Sequence, residues 1–384
     1  MNASIHYTEP TIHPDWINTP AGLNKLINVL SNESLVAVDT ESDSLYSYFE
    51  KVCLIQFSTQ HNDYLVDPLA VDISDLAPFF ADESIQKIFH AAEYDFLSLK
   101  RDYGFEFFNL FDTMLAARIL GWSHYGLGSL LNKHFNLKLD KRFQRYNWGR
   151  RPLSKKALNY ACLDTHYLIP LREIQIKALN EQNRLQEAVE AFERMTQVEP
   201  TIKTFDPDDF WRVKNSRELH PQEQAVLREL FILRDKIARK LDRPAFKVMN
   251  DASLVELARI QPLSLNALKQ TKGLGSKLIQ HNGLEILEAI NQGQAAPPPK
   301  YPANHHHRPD DRILNRYELL RRWRNDLAAS RGVEPDVIMN NHALMSIAQK
   351  NPRTMGTLTK IGVLGDWQRE TYGQRLLQVL NGKA

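Results

Sequence analysis

An apolar run, Leu35-Val36-Ala37-Val38, passes without a break into Asp39-Thr40-Glu41. Such a run predicts a buried strand, and alternation along a strand sends Asp39 and Glu41 to the same face. Two more stretches add acids. HAAEYDFLSLK supplies Asp95 where a strand gives way to a helix, and YACLDTHYL supplies Tyr160 and Asp164, four apart and so on one helical face. Carboxylates gathered on one face repel each other and lose hydration, a cost that bound cations offset. Hard oxygen ligands without a His or Cys cluster point to Mg2+ or Mn2+ rather than zinc. Two such divalent ions, held roughly 4 Å apart, clamp the attacking and leaving oxygens of a phosphodiester. The candidate catalytic residues are therefore Asp39, Glu41, Asp95, Tyr160 and Asp164, with the four acids as metal ligands. Each stretch alone is commonplace, because acids at strand ends and on helix faces are usually solvated. Their order along the chain is what carries the reading.

The charge distribution agrees. Residues 31–115 hold sixteen Asp and Glu against four Lys and Arg, whereas residues 133–156 hold nine Lys and Arg against Asp140 alone. Phe143, Tyr146 and Trp148 are interleaved in the basic stretch, which places phosphate-seeking cations beside stacking surfaces. Lys141, Arg142, Arg145, Trp148 and Arg151 are the candidate nucleic-acid-binding residues. Net charge over the whole chain is only +2. Cys53 and Cys162 sit among apolar neighbours, as reduced core thiols do. The N-terminal stretch has no apolar core of a signal peptide, and no segment is long enough to span a membrane. A cytoplasmic location without membrane partners is the expectation.

At 384 residues, two or three domains are expected. The first half reads as α/β, with strands at 35–39, 52–58 and 64–66 and another near 87–90. Helices are expected near Tyr94, near 111–120, and from an N-cap at Ser154 through Asp164, with Pro170 interrupting the last. The second half is helical and repeats at an offset of ninety residues. Met249-Asn250 returns as Met339-Asn340, Leu254 as Leu344, Ala258 as Ala348, Leu268 as Leu358, and Gly275 and Gly283 as Gly365 and Gly373. Two copies of one helical module follow from this. A Pro-rich linker separates them and contains His305-His306-His307, which read as solvated. The second copy opens with Arg312, Arg316, Arg321, Arg322 and Arg324, a candidate phosphate-gripping face.

Together these motifs resemble the DEDD superfamily of 3′→5′ exonucleases, in the branch with tyrosine four residues before the last aspartate. KGLGSKLIQHNGLEILEAI and GVLGDWQRETYGQRLLQVL resemble the helicase-and-RNase-D C-terminal (HRDC) domain. The combination, with Arg151-Pro152-Leu153-Ser154 ahead of the last motif, is similar to the ribonuclease D family across nearly the whole chain. The resemblance implies a ribonuclease H-like mixed-sheet exonuclease domain at residues 1–205. It further implies all-α HRDC domains at 206–295 and 312–384, joined by the linker 296–311. It also implies a 3′→5′ exoribonuclease that releases 5′-monophosphates from RNA, with tRNA precursors carrying 3′ extensions as the substrate. In that scheme Asp39 is shared by both metals, Glu41 and Asp164 complete one shell, Asp95 serves the other, and Tyr160 orients water. Where relatives carry an aromatic after the Asp-Thr-Glu, this chain has Ser42, so stacking falls to Tyr46, Tyr48 or Phe49. A DNA exonuclease is the nearest rival, since the metals act on phosphate. A catalytically silent RNA-binding adaptor is disfavoured because all four acids are present.

Overall fold

The computed structural model describes residues 13–201, 204–302 and 310–382, so the first twelve residues and His305-His306-His307 lie outside the described set. The chain divides into two compact units, one of residues 1–41, 52–200 and 306–384, the other of 42–51 and 201–305.

In the first unit six strands form one sheet: β1 (Asp15–Ile17), β2 (Leu35–Ser42), β3 (Val52–Ser58), β4 (Asp63–Val66), β5 (Gln86–Phe89) and β6 (Leu110–Asp112). Their order is β1-β4-β3-β2-β5-β6. β1 runs parallel to β4, β2 to β5 and β5 to β6, while β3 and β4 are antiparallel. The sheet is mixed, as expected. Every residue of β3 is buried, Gln56 and Ser58 among them, as in a strand with both faces of its sheet covered. Leu23, Leu26 and Leu30 of the helix Pro20–Leu30 join Val36, Val38, Phe57 and Ile88 in one core. A second cluster gathers Cys53, Leu54 and Leu65 with Trp148, Ala157, Tyr160 and Ala161.

The helix expected near Phe111 begins only at Thr113, because Leu110–Asp112 pair with β5. Asp112 then caps that helix from outside, accepting from the amides of Met114 at 2.8 Å and Leu115 at 2.9 Å. Ser154 caps the helix Lys155–His166, accepting from Ala157 N–H. Pro170 falls in the first turn of a separate helix, Leu168–Glu181, where its missing amide costs nothing.

The second helical module belongs to this same unit. Arg331 makes a bidentate pair with Glu187 (2.9 and 2.5 Å), and Arg184 donates to the carbonyls of Ile119 and Arg331. Arg118 reaches Glu334 at 2.9 Å and Asp336 at 2.6 Å. The Glu190 carboxylate accepts from the amides of Trp367 and Gln368 at the start of the helix Asp366–Leu380. Gly121, at φ +74°, approaches the carbonyl of Gly332 so closely that a Cβ would overlap it.

The first module lies in the other unit, and the ninety-residue repeat is visible atom by atom. Arg234 donates to Met249 O and Asp251 Oδ1; Arg324 donates to Met339 O and Asn341 Oδ1. Asn250 and Asn340 cap equivalent helices, and Gln261 and Asn351 end them in left-handed conformations. The candidate arginine face of the second copy is corrected accordingly. Arg324 is buried and Arg316 donates to Ala348 O at 2.7 Å, so neither is free for phosphate. Residues 42–51 also pack within this unit. Tyr48 Oη donates to Asp235 at 2.6 Å, Asp242 accepts the amides of Tyr48 and Phe49, and Lys247 Nζ lies 3.8 Å from the Tyr46 ring centroid. Of the three proposed stacking rings, Phe49 remains broadly exposed, at 59%.

Candidate active site

β2 delivers Asp39 and Glu41 to one side of the sheet, and the helix Lys155–His166 brings Asp164 against them. Ligand oxygens of Asp39, Glu41 and Asp164 all lie within 4.8 Å of one another. Asp95 enters from the helix Glu93–Tyr103 and is buried, accepting from Thr40 Oγ1 at 2.5 Å. Thr40 is therefore a member of the site that sequence reasoning passed over, although its place between the two acids was the available signal. The junction that aims Asp95 is held by Asp112, whose carboxylate accepts from Ala91 N (3.2 Å) and Ala92 N (2.7 Å). Ala91 sits at φ +62°, a left-handed conformation that these bonds stabilise in a residue with a Cβ.

The electrostatics are those of a site built for cations. Burial, then Asp95, Asp164 and Glu41, push the Asp39 carboxyl well above its usual range. Burial and the charges of Asp164 and Asp95 do the same to Glu41. Burial raises Asp95 to about 7 and Asp164 to about 8, against the lowering effect of hydrogen bonds from Thr40 and Tyr160 respectively. The Tyr160 phenol is raised by burial and by Asp164, Glu41 and Asp39, and it hydrogen-bonds Asp164. Phe143 stacks on the Tyr160 ring (5.3 Å, 29°) and fixes its tilt. Cys162, also buried, is pushed up to about 12, which leaves it an inert core thiol.

These groups face a cleft of about 1150 Å³ lined by Asp39, Thr40, Glu41, His90, Tyr160 and Asp164 together with Lys138, Lys141 and Gln144. Gly126, Leu127 and Gly128 also line it, at the N-terminus of the helix Leu127–Phe135, which no side chain caps. Of the basic rim, Lys141 opens on the cleft. Arg142 is mostly exposed and pairs with Asp140, and Arg145 is exposed on the same short helix, Lys141–Arg145. Trp148 and Arg151 are placed otherwise than expected. The Trp148 ring is 1% exposed and packs near Tyr160, so it has no free face for a base. The Arg151 guanidinium is held by Asp67 at 2.6 Å and by the carbonyls of Cys53 and Trp148, which fastens its loop to β3 and β4. An aromatic and a cation next to a basic run read as a binding rim in sequence; the apolar β3 and Asp67 compete for them and win.

Residues 14–179 match the 3′-5′ exonuclease family, and residues 223–290 and 313–380 each match the HRDC domain. Ribonuclease D of Bartonella henselae is 28% identical over 377 residues, covering 96% of this chain and 90% of that protein. The exosome complex exonuclease RRP6 of Saccharomyces cerevisiae is 32% identical over 285 residues, covering 70% of this chain but only 39% of the yeast protein. Among solved structures, the catalytic core of RRP6 from Trypanosoma brucei superposes with a TM-score of 0.69 at 29% identity, covering 74% of this chain and 80% of that one.

Proposed function

We infer, from the chain's place in the ribonuclease D family of 3′-5′ exonucleases, that the acidic cleft is where this exoribonuclease removes 3′-terminal nucleotides from RNA. The single observation that carries the assignment to this cleft is the convergence of Asp39, Glu41 and Asp164 within 4.8 Å, beside buried Asp95. Mutual repulsion among these acids makes the site fit divalent cations. Asp39, Glu41 and Asp164 would hold one ion and Asp39 with Asp95 a second. Mg2+ or Mn2+ bound there supplies an acidified water and positive charge for the phosphate. Tyr160 stays protonated next to three carboxylates, so it is no base. Its hydroxyl proton goes to Asp164, which leaves its oxygen to accept a hydrogen bond from the attacking water and aim it. Lys141 and Lys138, with the uncapped helix end at Gly126–Gly128, offer donors to the phosphate backbone across the cleft. The substrates are RNAs with unpaired 3′ extensions, tRNA precursors among them, processed in the cytoplasm. Among the described residues, no helix is long and apolar enough to cross a membrane.

Purified protein with 3′-extended RNA should shorten it one nucleotide at a time with Mg2+ or Mn2+ and stop on chelation; full activity in EDTA would refute the reading. Tyr160→Phe should slow turnover by roughly 10²–10⁴-fold with little change in RNA binding, measured as kcat against Kd.

The acid cluster also sets a pH dependence. Carboxyls whose folded pKa lies above the unfolded value make the folded protein bind more protons between about pH 4 and 8, so metal-free stability falls as pH rises through that window. Thermal melting without metal should therefore show a lower Tm at pH 8.5 than at pH 6. Mn2+ at a hundred times its Kd should restore about 2.7 kcal/mol at the higher pH. A pH-independent melt would count against a metal-free cluster held under repulsion.

A further inference from the structure

His90 is among the polar groups that line the catalytic cleft and that the mechanism does not use. β2 and β5 run parallel with Ala37 opposite Ile88. Two residues on from that pair stand Asp39, within β2, and His90, one residue past the end of β5, and both line the cleft. The imidazole thus opens on the same cleft as the acids.

Its hydrogen-bonding polarity is fixed by a neighbour. His90 Nδ1 lies 2.9 Å from Thr113 Oγ1, and that hydroxyl also lies 3.0 Å from the carbonyl oxygen of Phe89. A carbonyl can only accept, so the one hydroxyl proton of Thr113 goes to Phe89. Toward His90 the oxygen offers a lone pair, which places the imidazole proton on Nδ1 and leaves Nε2 bare. Thr113 is fully buried, so water does not compete for this arrangement. Burial also pushes the His90 pKa down to about 4, in keeping with a neutral ring. Among the described residues Nε2 has no hydrogen-bond partner.

A bare lone pair in a cleft of carboxylates does not bind phosphate, which at neutral pH has few protons to donate. It accepts from a neutral donor such as a hydroxyl. We propose that His90 Nε2 accepts a hydrogen bond from the ribose 2′-hydroxyl of the substrate's terminal nucleotide and so makes the cleft selective for RNA over DNA, with Thr113 as the residue that positions the acceptor. This rests on the exonuclease reading of the cleft. The metal-binding acids act on phosphate in either nucleic acid; His90 is where the sugar is read.

The test uses the full chain with Mn2+ and three single-stranded oligonucleotides that differ only in the 3′-terminal sugar: ribose, 2′-deoxyribose and 2′-fluoro. Fluorine keeps an electronegative atom and the ribose-like pucker but has no proton to give. Wild type should remove the ribonucleotide roughly ten-fold faster in kcat/KM than either of the others, the scale of one partly exposed neutral hydrogen bond. In His90→Leu the ribo-to-deoxy ratio should fall toward one, and in Thr113→Val, which frees the tautomer, it should fall part of the way. His90→Gln, which restores an acceptor oxygen, should recover part of the ratio. A wild-type enzyme indifferent to the terminal sugar, or one that treats 2′-fluoro like ribose, would overturn the proposal. So would a ratio unchanged in His90→Leu, and the substrate comparison holds even if that variant fails to fold. Release of no nucleotide from any of the three would bring down the exonuclease reading, and this inference with it.

Discussion

Asp39→Asn should abolish turnover and stabilise the metal-free protein in the same stroke. Asp39 stands between Glu41, Asp95 and Asp164, and each of these charges raises its carboxyl further above the ordinary range. Replacing it with an isosteric neutral amide removes the ligand proposed to serve both ions, and kcat should drop by at least about 10³-fold. Above pH 7 it also removes one of four crowded charges, so the metal-free Tm should rise by several degrees. The Mn2+-induced rise in Tm should shrink as well. Nuclease assays and melts on one preparation check all three. A variant that loses activity while melting lower would mean that Asp39 holds the fold together, not a cation.

Breaking the Arg331–Glu187 pair should be the most destabilising single change outside the cores. Glu187 is 5% exposed and its partner 17%, and the two meet in a bidentate geometry that also involves the Tyr372 hydroxyl. Arg331→Met leaves a buried carboxylate without its cation, which typically costs about 3 kcal/mol. For a unit of this size that lowers Tm by roughly 2–4 °C per kcal/mol. Adding Glu187→Leu should recover much of the loss, because the apolar pair has no charge to desolvate. Denaturant melts of the two single variants and the double variant give the coupling directly. Additive losses would show that the pair contributes nothing beyond its separate contacts. The same contacts bear on truncation. A chain cut near residue 205 strips Glu187, Glu190, Arg118 and Arg194 of their partners, so the exonuclease half should melt lower alone.

The site was legible because its chemistry is periodic. Two acids at i and i+2 on a strand, and a tyrosine and an acid at i and i+4 on a helix, declare their faces without tertiary knowledge. The sheet was legible where β3 opens on the apolar run Val52–Ile55, and less so at β1 and β6, strands of only three residues. Thr40 and His90 escaped notice for a different reason. The place of Thr40 between two acids was its only signal, and nothing local says that Asp95, carried by another element, will meet its hydroxyl. Trp148, Arg151 and Arg324 were misread in the opposite sense. Their residue types suit solvent and nucleic acid, and only the packed structure shows which carbonyls and carboxylates claim them.

The loop at residues 42–51 has a consequence for how the chain is made. It leaves β2 directly after Glu41 and returns in β3, yet its tyrosine and amides are satisfied by Asp235 and Asp242, nearly two hundred residues later. Residues 306–384 in turn complete the unit that begins at the N-terminus. Neither unit is continuous in sequence. As the chain emerges during synthesis, the sheet can form with its loop undocked, but that loop waits for the first helical module and Glu187 waits for Arg331. Vectorial folding, domain by domain, is thereby replaced by a late closure that needs almost the entire polypeptide. A ribosome-stalled chain ending near residue 300 should therefore hold the acidic cluster in an unfinished protein, open to proteolysis at the helix Leu185–Thr196 until the last helices arrive.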